Sequence, residues 1–174
     1  MEELIDLLDE NGNMIGTIDK AIAHRDGLWH KSVHIWMVND KNEILLQHRC
    51  AEKNFFPNFW DCSFAGHVGA GEESIESVLR EGKEEIGLNL QKDEVKHLFR
   101  FKEHFEWGNI VSNEFVDVFL IRKNYEIDKD KFQKEEVDGL KWVKLSQFFK
   151  MIDEGDKTLI PHTEEYKKLK DILL

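Results

Sequence analysis

The sequence predicts an α/β domain with helices packed on a β-sheet. Three observations carry that expectation. Short apolar runs punctuated by turn residues recur from residue 4 to residue 145, as strands do. Between residues 74 and 87 the apolar positions switch to helical spacing, with Ile75, Val78, Leu79, Gly82 and Ile86 at i, i+3, i+4, i+7 and i+11. Residues 163–174 read as a terminal helix with Leu169, Ile172 and Leu173 inward. At 174 residues, 41% hydrophobic and 34% charged, the chain is sized and composed for one soluble domain with a real core.

Residues 4–9 and 14–18 flank Glu10-Asn11-Gly12-Asn13, and Asn-Gly between apolar runs signals a hairpin. An EF-hand reading of this stretch fails, because Gly12 stands fourth from Asp9 instead of sixth. Residues 19–30 carry His24 and His30 and are assigned no element. Residues 33–38 read as a buried strand, residues 43–48 as its partner, and residues 39–42 as the turn between them. His34, on the first of these strands, is read as a structural histidine. A loop at 49–61, rich in Phe55, Phe56, Phe59 and Trp60, leads to a short strand at 62–65. Residues 95–107 and 110–121 read as two strands joined at Gly108-Asn109. Residues 123–135 read as an exposed connection and 140–145 as a last strand, after which Ser146 is expected to cap a helix through Met151. For the central helix, Ser74 is the expected N-cap and Gly87 the expected left-handed terminator.

That helix carries the chemistry. Glu81, Glu84 and Glu85, spaced i, i+3 and i+4, share one face. Like charges so placed destabilise a helix by roughly 0.2–0.5 kcal/mol per pair. Taken alone, the face reads either as a solvated acidic surface or as a seat for a hard divalent cation. The wider spacing is G-x5-E-x7-R-E-x-x-E-E-x-G, through Gly66, Glu72, Arg80, Glu81, Glu84, Glu85 and Gly87. At about 7% usage per residue type, seven fixed positions recur by chance on the order of once in a million such chains.

This segment resembles the signature box of the Nudix hydrolases, departing from it at Gly82, where the family usually has a larger aliphatic residue. The resemblance implies an α/β/α sandwich around a mixed β-sheet. It makes residues 1–174 a single Nudix domain, with an N-terminal hairpin and histidine-containing segment at 1–30, the box at 66–88 and a C-terminal helix at 161–174. It also implies Mg²⁺ or Mn²⁺ as cofactor, and hydrolysis of a diphosphate in a nucleoside-diphosphate or other organic diphosphate substrate. By the same resemblance Glu81 and Glu85 are metal ligands, and Glu84 is a third ligand or the base. The Gly66 carbonyl faces the metal, Arg80 orients the glutamates for catalysis, and Glu72 fixes the loop. Gly82 is expected to let the helix backbone approach the sheet closely.

A wider resemblance points to the branch containing isopentenyl-diphosphate isomerase and its hydrolase-like relatives. It is carried by His24, Gly27-Leu28-Trp29-His30, Gln47-His48-Arg49, Lys53, Phe56 to Trp60, Gly66-His67 and Asn113-Glu114. The isomerase holds a divalent metal with three histidines and two glutamates. His24, His30, His67 and Glu114 match four of those positions, a candidate second metal site, while Ser112 replaces the other glutamate. Arg49 and Lys53 match diphosphate-contacting positions, and His67 is a further candidate for substrate binding. Ala65 stands where the isomerase has its catalytic cysteine, so a hydrolase on an isomerase-like frame is expected. Glu114, and Glu135 and Glu136 near the last strand, are alternative candidates for the general base.

A net charge of −11 argues against nonspecific binding to nucleic acid or anionic membrane. No apolar run reaches the roughly 20 residues of a membrane span, and no secretory leader pattern opens the sequence. Cys50 and Cys62 form no disulfide framework, so a reducing cytoplasm is the expected location. The N-terminal hairpin offers a strand edge through which a homodimer is a candidate state. Isomerase and turnover-free ligand sensor are the competing readings.

Overall fold

The computed structural model describes residues 3–174. Its sheet is built on β3 (Trp29–Val38), whose ten residues are nearly all buried. On one side β3 runs parallel to β8 (Ile110–Arg122), from Trp29 opposite Asn113 to Val38 opposite Arg122. β8 is paired along its length with antiparallel β7 (Val95–Trp107). On the other side β3 meets antiparallel β6 (Phe64–His67). β4 (Glu43–Arg49), β5 (Trp60–Asp61) and β9 (Val137–Lys144) complete a seven-stranded mixed sheet, while β1 (Leu4–Leu8) and β2 (Met14–Asp19) form a separate hairpin.

The expected β3–β4 hairpin is only partly formed. β4 touches β3 at one register pair, Val38 and Ile44, and pairs through most of its length with β9. Ser63 is the physical reason. Its hydroxyl accepts from the Met37 N–H at 2.8 Å and donates to the Leu45 carbonyl at 2.7 Å, wedging the two strands apart. The opening admits β6, which carries the glycine loop.

Alternation along β3 separates two cores. Val33, Ile35 and Met37 pack with Val78 and Ile86 of α2 (Ser74–Ile86). Trp36 on the opposite face packs with Phe148 of α3 (Leu145–Asp153) and Leu169 of α4 (Thr163–Leu173). Helix, sheet and helix thus form the expected three layers. Gly82 fits its expected part: a Cβ there would sit 3.1 Å from the Phe64 ring and 3.3 Å from Leu90.

Several local expectations are corrected. The N-cap of α2 is Glu73, not Ser74. Glu76 reaches back to the Glu73 N–H at 3.4 Å, while Ser74 faces the sheet and donates to Asp117 at 2.6 Å. Lys144 precedes α3, so Ser146 lies inside that helix and caps nothing. Ile172 is 45% exposed, and Leu169 carries the inward face of α4. The connection at 123–135 is not wholly exposed: Phe132 is buried, and Tyr125 and Ile127 pack on the α2 core. Residues 19–30 contain a short helix, α1 (Lys20–Asp26), capped by Asp19 on the Ala21 N–H and ended by Gly27 at φ 64°.

Candidate functional site: a two-ended cavity

A cavity of about 960 Å³ opens between the α2 glutamates, the loop at 49–61, α1 and the outward face of β3, β7 and β8. At one end lies the box. Gly66 has no room for a side chain, because a Cβ there would fall 2.2 Å from the Glu81 carboxyl group. Arg80 donates to Glu81 at 2.6 Å, to Glu72 at 3.1 Å and to the His67 carbonyl at 3.1 Å, and stands 3.5 Å from Glu84. Glu72 in turn accepts from the Gly69 N–H and the Ser77 hydroxyl, which fixes the loop. Glu85 is buried and accepts from the Gln47 amide at 2.7 Å. Burial, with Glu81 as neighbour, pushes the Glu85 carboxyl up to about 8. Burial also raises Glu81, to about 7, against the pull of Arg80. Glu84 is half exposed beside them.

A second cluster lies at the N-terminal end of β3. His24 arrives from α1, His30 from β3, His67 from β6 and Glu114 from β8. The His24 Nε2 stands 3.3 Å from His30 Nε2 and 3.1 Å from His67 Nε2. Glu114 Oε1 is 3.6 Å from His30 Nε2 and 3.7 Å from His67 Nε2. Burial lowers His24 to about 4, helped by His67. Burial also lowers His67, whereas in His30 the Glu114 carboxylate outweighs burial and raises it. Glu114 itself is held well below the usual carboxylate range: burial opposes ionisation, but the hydrogen bonds of His30 and His67 win.

The donor set fits a divalent cation. The His30 Nδ1 faces the Leu28 carbonyl at 2.8 Å, so in the neutral ring Nδ1–H donates there and Nε2 presents its lone pair inward. Ligands held roughly 2.1 Å from one ion stand roughly 3.0–3.5 Å apart, close to the separations here.

The cation candidates are less exposed than their residue types suggest. Arg49 is committed to the Phe55 and Phe56 carbonyls and to Asp61 at 3.2 Å. Lys53 pairs with Glu136. Both line the cavity, beside Phe55 and Phe56. Ala65 lies opposite His34 in the β3–β6 register and also lines it.

Sequence reasoning missed the other end of the cavity. His34 is buried against Glu165 at 2.8 Å, and the Trp36 indole donates to the same carboxylate at 2.7 Å. His162 sits between Glu103 at 2.7 Å and Asp61 at 3.0 Å. Asp61, Glu103 and Glu165 are far apart in sequence and follow no motif. A detectable signal was the alternation along β7, which places Glu103 on the same face as Phe101 and Phe105.

A mixed sheet between helical layers, with a carboxylate-rich helix after a glycine loop, defines the Nudix class of fold and site. The family model described as NUDIX domain matches residues 28–163, and the chain belongs to the Nudix family of hydrolases. It is 36% identical over 180 residues to Nudix hydrolase 3 of Arabidopsis thaliana, covering 99% of this chain but 23% of that protein's length. It is 38% identical over 122 residues to an isopentenyl-diphosphate Delta-isomerase of Paenarthrobacter aurescens, covering 69% of this chain and 66% of that one. Among solved structures, DR0079 of Deinococcus radiodurans superposes with a TM-score of 0.74 at 22% identity, over 95% of this chain and 98% of that chain. The NUDIX domain of Shewanella oneidensis NrtR, solved with ADP ribose, has a TM-score of 0.59 at 16% identity, over 82% of this chain and 87% of that one.

Proposed function

We propose that the protein is a Mg²⁺- or Mn²⁺-dependent hydrolase of small organic diphosphates. The observation that carries this reading is the Glu81–Glu85 pair. Glu85 is buried with the Gln47 amide as its one hydrogen-bonding side chain among the described residues, and Glu81, one helical turn away and partly buried, carries Arg80. Buried charge so poorly compensated calls for a cation with oxygen ligands. Glu81 and Glu85 would hold it, with the Gly66 carbonyl beside them. A bound divalent ion there supplies charge neutralisation at phosphate oxygens and a more acidic water.

The chain's own residues do the rest. Arg80 keeps Glu81 aimed across Gly66. Glu84, the half-exposed member, stands where water can reach it and is the general base in this reading. Glu114 is clasped by His30 and His67, which suits ligation at the histidine cluster better than base catalysis. That cluster would hold a second cation. Lys53 and Arg49 mark the wall for the diphosphate, Lys53 after exchanging Glu136 for phosphate oxygens. The ADP ribose in the Shewanella domain is a diphosphate of the expected kind.

Isomerisation is disfavoured by Ala65, which brings no proton-transfer group to the cavity wall. The test is incubation with Mg²⁺ or Mn²⁺ and a panel of nucleoside and other organic diphosphates, with products identified by mass. Cleavage of at least one, reduced about 100-fold or more in Glu81→Gln or Glu85→Gln, is expected. Double-bond migration in isopentenyl diphosphate without P–O cleavage would overturn the reading.

We further infer a cytoplasmic protein. No helix among the described residues is long and apolar enough to cross a membrane, and Cys50 and Cys62 are buried thiols without a disulfide. A homodimer through the hairpin is also proposed, since among the described residues β2 pairs with β1 alone and exposes Met14 and Ile15. Light scattering on the intact chain would read its mass.

A further inference from the structure

The trough floor between the two ends of the cavity has a chemistry that the diphosphate reading does not use. Along one face of β3, His30, Ser32 and His34 follow at every second position. His30 belongs to the cation cluster, His34 to the network with His162 and Glu103. Ser32 lies between them. It is 3% exposed and lines the cavity. Among the described residues, its Oγ is the buried side-chain polar atom with no hydrogen-bond partner.

The neighbouring network is firmly set. His162 faces carboxylates through both ring nitrogens, Glu103 at Nδ1 and Asp61 at Nε2, so both nitrogens donate and the ring is a cation. Burial opposes that charge, but the two carboxylates hold His162 well above its ordinary value. A ring without a lone pair is no metal ligand. His34, His162 and Glu103 gather within 4.8 Å, yet this grouping is therefore an ionic clamp and not a metal site. Its negative members, Asp61, Glu103 and Glu165, face the positive His34, His162 and Arg49. The clamp fixes one oxygen of Glu103 on His162 and leaves the carboxylate on the cavity wall with the capacity to accept again.

We propose that this floor is a recognition subsite for the non-phosphate half of the substrate. It takes a polyhydroxylated group such as a sugar, with Ser32 Oγ and the Glu103 carboxylate as its hydrogen-bonding contacts. The inference rests on the reading that the adjacent box holds the diphosphate. A carboxylate only accepts, so its partner must bring O–H or N–H donors. A hydrocarbon laid over this floor would leave the Ser32 hydroxyl unpaired and bring no donor to the Glu103 oxygen that His162 does not hold. Sites built to hydrogen-bond a hydroxyl reject analogues lacking it by roughly 10⁴–10⁵-fold when fully formed. Phe55, Phe56 and Phe105 offer an apolar wall for the carbon skeleton.

The test uses two probes of equal carbon count, the methylenebisphosphonate esters of n-pentanol and of ribitol, titrated calorimetrically into the intact protein with Mg²⁺. The ribitol ester is expected to bind on the order of 10²-fold more tightly or better, and Ser32→Ala and Glu103→Gln to reduce that ratio to below about tenfold. Equal binding of the two probes, or a ratio unchanged in Ser32→Ala, overturns the subsite. Hydrolysis of the corresponding diphosphates is measured separately. Selective ribitol binding without turnover keeps the subsite and removes the hydrolase reading. Turnover of both diphosphates with equal kcat/KM keeps the hydrolase and removes the subsite.

Discussion

Two carboxyls that burial holds above the ordinary carboxylate range are the residue-scale signature of this site. Glu85 is raised to about 8 and Glu81 to about 7, from an ordinary 4.5. Both must ionise to ligate a cation, so Mg²⁺ affinity should rise from about pH 6 to about pH 9, measured by calorimetry. Linkage has the opposite sign for the metal-free protein. A carboxyl raised on folding stabilises the fold below its unfolded value, near 4.5, and that contribution is lost as pH climbs through about 7 and 8. The melting temperature without metal should therefore fall over that window, and Mg²⁺ should restore it most at the alkaline end. Gly66 offers a cleaner probe. Alanine there collides with the Glu81 carboxyl, so Gly66→Ala should lose roughly 10- to 100-fold in metal affinity while its circular dichroism stays native. The glutamates and Gly66 were legible in the sequence because a fixed spacing declared them. Ser32, Glu103 and His162 were not, because each gains its meaning from a neighbour dozens of residues away.

Elements were legible wherever one face met one partner. The two long strands, β7 and β8, matched expectation to within a residue or so, and Gly87 ends α2 at φ 67°. Reading failed where tertiary contacts replaced local ones. Ser74 has the chemistry of a cap, but Asp117 claims its hydroxyl. The β3–β4 pair looks like a hairpin in sequence, but Ser63 opens it. α1 is too short to declare itself by periodicity. At this scale Gly82 makes a quantitative case. Alanine would gain about 1 kcal/mol in helix propensity, against about 1–3 kcal/mol for overpacking on Phe64 and Leu90. Gly82→Ala should therefore destabilise modestly, by about 1 kcal/mol in urea unfolding, with larger residues costing more.

Across the whole molecule, α4 is fastened to the sheet by a buried ionic contact as well as by Leu169. Glu165 accepts from His34 and from the Trp36 indole, and all three are buried. Glu165→Ala strands a charged imidazole and an indole N–H, and should cost about 3–5 kcal/mol in chemical denaturation. His34 is held up to about 9, since Glu165 outweighs burial, so it keeps its charge at neutral pH. Strand and helix patterns foretold helices packed on a sheet, and the three layers followed only from the family resemblance; the polar seam joining the last helix to the sheet was not foreseeable, because its members are more than a hundred residues apart. The histidine cluster crosses a different boundary. His30, His67 and Glu114 lie within the matched Nudix segment, whereas His24 comes from α1, just ahead of residue 28. An ion shared by those four groups would rivet a peripheral segment to the common core. Trypsin acting at Lys20 or Arg25 should then cut the metal-loaded protein more slowly than the chelated one, making a protease a gauge of cation occupancy.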